Sequence, residues 1–228
     1  MKKIILLVIL NLSALILFAQ KSVVFESFKK YGIDPAILEI NSGNRPENYT
    51  FDYKYTVITG DKETVTLAQF DPSKPEEERW QVISVKGKTP SRSEIKTFRK
   101  NHSKTPVAAK TDDSSYKIEK VTADSLVISY KQIPESIPEE AKFMKDCKLY
   151  MTVNLKTGRL EKLQSLNEKP LKIKIFNAEK LDLVVKYKYD EKEKRYFTES
   201  EDLNLMIKFL GQLTPMETLS EYSNYKKY

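Results

Sequence analysis

Cysteine, histidine and tryptophan occur once each in the 228 residues, and glycine six times. A single cysteine, Cys147, excludes an internal disulfide. A single histidine, His102, excludes paired-imidazole metal sites, and only coexistence in the chain links it to Cys147 as a nucleophile pair. There is no GxSxG, HExxH, CxxC or P-loop pattern, and so few glycines leave little backbone to cradle a phosphate. The acidic runs Glu76-Glu77-Glu78 and Glu139-Glu140 lack the alternating oxygens around a glycine that a calcium loop needs. No catalytic residue, cofactor or metal site is therefore expected. Like charges never run to five in a row, so a nucleic-acid-binding tail is excluded as well. The net charge of +7 supports at most a peripheral attraction to anionic headgroups.

Beyond the first turns of chain there is also no long apolar run. The one that exists is Ile4–Phe18, interrupted by Asn11 and Ser13. It follows Lys2 and Lys3 and ends in Leu17-Phe18-Ala19-Gln20, with a small residue at the cleavage position. That is the layout of a secretory signal peptide. It falls short of the roughly 20 residues that span a bilayer comfortably. No cysteine stands near the cleavage point to accept a lipid. The expected organisation is a signal peptide over 1–19 and one domain over 20–228, exported to the periplasm as a monomer. Losing Lys2 and Lys3 takes the charge from +7 to +5.

What the chain does have is alternation. Cys147, Leu149, Met151, Val153 and Leu155 alternate with Lys148, Tyr150, Thr152, Asn154 and Lys156. The pattern returns in Leu171–Ile175, in Leu181–Tyr189 and in Leu203, Leu205, Ile207 and Phe209. Successive side chains on a strand point to opposite faces, so each run has one greasy face and one wet face. Tyr49–Thr59 alternates as cleanly, and Gly60-Asp61-Lys62 turns it into a partner strand, Glu63–Phe70. Further strands are predicted over Trp80–Lys86, Tyr116–Val121, Ser125–Ile133 and Thr214–Tyr225, with hairpin turns at Lys156–Arg159, near Asn177–Lys180 and at Asp190–Lys194. Helices are predicted over Ser22–Tyr31, stopped by Gly32, and from Pro90 to about His102, where Thr89, or Ser91 with Glu94, can cap. His102 then reads as a solvated basic residue against the helix C-terminal dipole. Ser103–Ser115 reads as a mobile linker, and the proline-flanked Pro134–Met144 as a flap.

A sheet greasy on one face must cover it. The fold class expected is α+β, mainly antiparallel β: an incomplete, half-open antiparallel barrel of about ten strands, with two or three helices covering the concave face. The odd-numbered positions of the last third form that face, and the even-numbered lysines its solvent side. Candidate lining residues are Phe51, Tyr53, Tyr55, Trp80, Leu149, Met151, Leu183, Val185, Ile207 and Phe209, with Pro138, Phe143 and Met144 on the flap. Cys147, in phase with Leu149 and Met151, reads as a small buried hydrophobe.

Three stretches carry a family resemblance. They are Phe70–Pro90, where a DP-x-x-P…RW strand leads into a helix; Leu149–Leu160; and the closing Tyr222-Ser223-Asn224-Tyr225-Lys226. On these the chain resembles the outer-membrane lipoprotein carrier superfamily (LolA/LolB-like). The resemblance implies an incomplete barrel around helices whose concave face holds acyl chains or another greasy ligand. The ligand-gripping arginine typical of the carriers has no matching strand motif at Arg45, Arg79, Arg92 or Arg99. A divergent relative with its own cargo is expected, non-enzymatic, with a lipid or an acylated protein as ligand. The alternatives are an envelope interaction module with a filled core and a protein partner, and an outer-membrane barrel.

Overall fold

The computed structural model describes residues 20–40, 46–103, 108–173, 176–209 and 211–228, without the side chain of Phe209. Residues 1–19, where a signal peptide is expected, and residues 41–45 lie outside the described residues.

Eleven antiparallel strands form one sheet: β1 (Tyr49–Thr59), β2 (Lys62–Phe70), β3 (Trp80–Val85), β4 (Lys117–Val121), β5 (Ser125–Tyr130), β6 (Cys147–Asn154), β7 (Arg159–Asn167), β8 (Leu171–Ile173), β9 (Phe176–Asp190), β10 (Arg195–Phe209) and β11 (Gln212–Lys227). Their order is β3-β2-β1-β11-β10-β9-β7-β6-β5-β4, with β8 beside β9. The two edges, β3 and β4, do not pair, so the barrel is open. The first hairpin lies where its alternation and Gly60 put it.

Two helices cover the two ends of the concave face. Helix α1 (20–31) ends in a Schellman motif: Ile33 N–H donates to the Phe28 carbonyl and Gly32, at φ +63°, to that of Lys29. Its Val24 and Phe28 are fully buried against Leu126, Ile128, Met151 and Val153. At about 2 kcal/mol for each buried side chain, that face holds α1 down. Helix α2 (Arg92–His102) starts with the Ser91–Glu94 capping box. It lays Phe98 on Tyr53 and Trp80, over β1–β3.

Three local readings are corrected. Asn177–Lys180 is not a turn. It lies inside β9, and the chain reverses between Ile173 and Phe176 instead. Of the predicted linker, 108–115 is tied down: Thr111 bridges Gln132, Asp112 N–H donates to the Lys131 carbonyl, and Asp112 caps a 3-10 turn at Asp113–Ser115. The odd-numbered phase is not kept either. Glu161, Glu179 and Glu199 are extra residues in β7, β9 and β10, where the pairing register shifts. A bulge leaves one residue unopposed and changes which parity faces the core. Ala178 is therefore fully buried on one side of the β9 bulge and Leu181 on the other.

Candidate ligand cavity

Between the two helices the concave face of β9–β11 is left to the flap, which is a pair of 3-10 segments, Pro134–Ser136 and Glu139–Asp146. Proline fixes the φ of Pro134 and Pro138 at the start of each. A cavity of about 490 Å³ lies there.

One row of paired residues explains the cavity's character. From β5 to β9 it runs Ile128, Met151, Leu163, Val185, all apolar. It continues across β10, β11, β1 and β2 as Glu201, Ser220, Tyr55, Thr66, all polar-tipped. The neighbouring row, Leu149, Ser165, Leu183, Leu203, Thr218, is apolar but for Ser165 as far as β10 and turns polar at β11. Flap residues Ile137, Phe143 and Met144 close over the apolar half. The cavity wall is thus amphipathic, where sequence alternation predicts a uniformly greasy one.

Of the residues singled out from sequence, Phe51, Tyr53, Tyr55, Leu149, Leu183, Val185, Pro138, Phe143 and Met144 line this space. Met151 does not reach it, being wholly buried beneath α1. Ile207 packs on a separate cluster around Cys147 and Leu171. Phe209 ends β10, and its side chain lies outside the described residues. Trp80 is 3% exposed in the aromatic cluster under α2, where its indole N–H donates to the His102 carbonyl at 3.0 Å. Leu203 lines the cavity in its predicted odd-numbered phase, and Leu163, Glu201, Thr218 and Ser220, not singled out as lining residues, join it. Thr218 and Ser220 are placed there by their register opposite Leu203 and Glu201, which leaves no compositional mark.

His102 is the largest departure. It is not a solvated residue: its ring stacks on Phe98 at 3.9 Å and meets Tyr53, Tyr55 and Trp80 edge-on. Its Nδ1–H donates to the Phe98 carbonyl at 2.8 Å, which leaves Nε2 facing the Tyr53 hydroxyl at 3.5 Å. That hydroxyl is 2.8 Å from Ser220 Oγ, the residue opposite Glu201 in the sheet. Helix α2 is therefore connected to the polar half of the wall through one chain of hydrogen-bonding groups. Burial pushes the Tyr55 phenol up, and burial followed by the Glu201 charge does the same for Tyr225, so both remain neutral donors near pH 7. Tyr225 donates to the Thr198 carbonyl at 2.8 Å.

Among the described residues no group of three His, Cys, Asp or Glu side chains could hold a metal ion, and no helix is long and apolar enough to cross a membrane. The sequence matches no protein-family model and no curated protein. Among solved structures the chain is similar to a LolA superfamily protein from Nitrosomonas europaea, at 14% identity and a TM-score of 0.39, over 82% of this chain and 89% of that one.

Proposed function

We propose that this chain is a non-enzymatic binding or carrier protein for a hydrophobic ligand, a lipid or the acyl chains of a lipoprotein. The observation that supports it most is the half-apolar cavity of about 490 Å³ beneath the flap. Its size is within the roughly 300–1,000 Å³ usual for small-molecule sites. In this reading Leu149, Leu183, Val185, Phe143 and Met144 contact the chain of the ligand. Phe51, Tyr53 and Tyr55 border its polar end. The setting is the periplasm, reached through the 1–19 segment.

Native mass spectrometry of the gently extracted protein is expected to show retained lipid. A fluorescent fatty acid should bind, and be displaced by an unlabelled one. Leu183→Trp, which fills the wall, should weaken that uptake at least about tenfold while the protein stays folded by circular dichroism. No retained lipid together with no probe uptake would overturn the reading and favour an envelope interaction module, recognisable by a specific crosslinked partner.

A further inference from the structure

Two hairpins end side by side at one end of the sheet. β8 and β9 reverse between Ile173 and Phe176, and β10 and β11 between Phe209 and Gln212. The β9–β10 pairing sets Asn177 opposite Lys208, which brings the two reversals together. The second hairpin outruns its neighbour. The last partner that β1 offers β11 is Thr59, opposite Met216. Leu213 stands three residues farther on, about 10 Å at roughly 3.4 Å per residue.

Both reversals expose a large apolar side chain. Leu213 is 57% exposed and Phe176 39%. Strand register puts them on opposite faces. Phe176 shares the concave face with Ala178, while Leu213 pairs with Lys208 on the convex face. Exposed Lys172, Lys180 and Lys208 stand beside Leu213 on the convex face, while Asp146 and Glu168, at the cluster behind them, are paired with Lys169 and Lys131.

A flat protein partner could cover one face of such an end but not both. A lipid interface surrounds both, and lysines flanking the apolar tips suit anionic headgroups. We infer that this end docks on an anionic lipid surface. Phe176 and Leu213 enter the boundary between headgroups and acyl chains, and Lys172, Lys180 and Lys208 pair with lipid phosphates. The inference stands independently of the carrier reading, although the two meet: Phe143 and Met144 pack on the Leu171–Ala178–Leu205 cluster at this end and also line the cavity.

The test is co-sedimentation of the purified protein with vesicles of phosphatidylcholine, alone or mixed with phosphatidylglycerol. Binding is expected to the mixed vesicles and not to the neutral ones. Phe176→Ser with Leu213→Ser should weaken it at least about tenfold, as should Lys172→Glu with Lys208→Glu. All four residues are at least partly exposed, so melting curves should match wild type, and fatty-acid uptake should be unchanged. Wild-type protein that ignores the mixed vesicles would overturn the inference. So would a Phe176→Ser/Leu213→Ser variant that binds them as wild type does.

Discussion

Val185 and Glu201 face each other across the β9–β10 pair, and the cavity wall changes from apolar to polar between them. Side chains so paired have Cβ atoms about 5 Å apart. Val185→Glu would therefore set two carboxylates together in a partly dry space. Like charges raise the pKa of one of them in the folded state. The penalty is then present at neutral pH and is relieved as pH falls and that carboxyl takes a proton. Urea unfolding should show a loss of at least about 2 kcal/mol at pH 7 relative to wild type, shrinking toward about pH 5. A loss that does not vary with pH would mean that the two side chains do not share the wall.

A second carboxylate is held in the opposite sense, on the far side of the sheet. Glu119 accepts hydrogen bonds from Lys148 and Ser129, each at 2.7 Å, and from Lys117 at 3.2 Å. Those three donors, Lys148 foremost, hold its pKa at about 2 against an ordinary 4.5. A depressed folded pKa gives stability that is complete above the unfolded value and is lost as pH falls through the folded one. Glu119→Gln should cost about 1 kcal/mol at pH 7, allowing for solvent screening. The difference from wild type should persist to about pH 4.5 and close toward pH 2. An equal gap at both ends of that range would sink the charge-based account.

Cys147 is 1% exposed, and burial, helped by Asp146 and Glu168, pushes its thiol up to about 12. At pH 8 only about one molecule in ten thousand then carries a thiolate, the form that reacts. Ellman's reagent at that pH should leave the native protein untouched for hours and label it at once in denaturant. Rapid labelling of the native protein would show that β6 opens at this end far more readily than its packing implies.

Local chemistry was legible from the sequence. The Tyr49–Phe70 hairpin, the Ser91–Glu94 capping box, the Gly32 helix stop and the odd-numbered face of Cys147–Asn154 each depend on a few adjacent residues, and each is where those residues put it. The open antiparallel barrel followed from the alternation. What could not be read was phase across strands. Glu161, Glu179 and Glu199 look like ordinary exposed glutamates, yet as bulged residues they put even-numbered Leu160, Ala178 and Thr198 on the inner face. Asn177–Lys180 resembles a turn in composition, but pairing with β8 and β10 overrides that local preference. His102 followed the same course: its neighbours in sequence are basic, while its neighbours in space are rings from β1, β3 and α2.

The strand order has one more consequence. β1 pairs with β11 along nearly its whole length, joining residues as far apart in sequence as Tyr49 and Lys227. Contacts so far apart in sequence are slow to form, because a long loop must close before any of them is gained. The β1–β2 hairpin is made early and must then wait, with one edge unpaired, until the sixteen residues of β11 arrive to complete it. While it waits, that edge is the stretch of backbone most open to pairing with the wrong strand or with another chain.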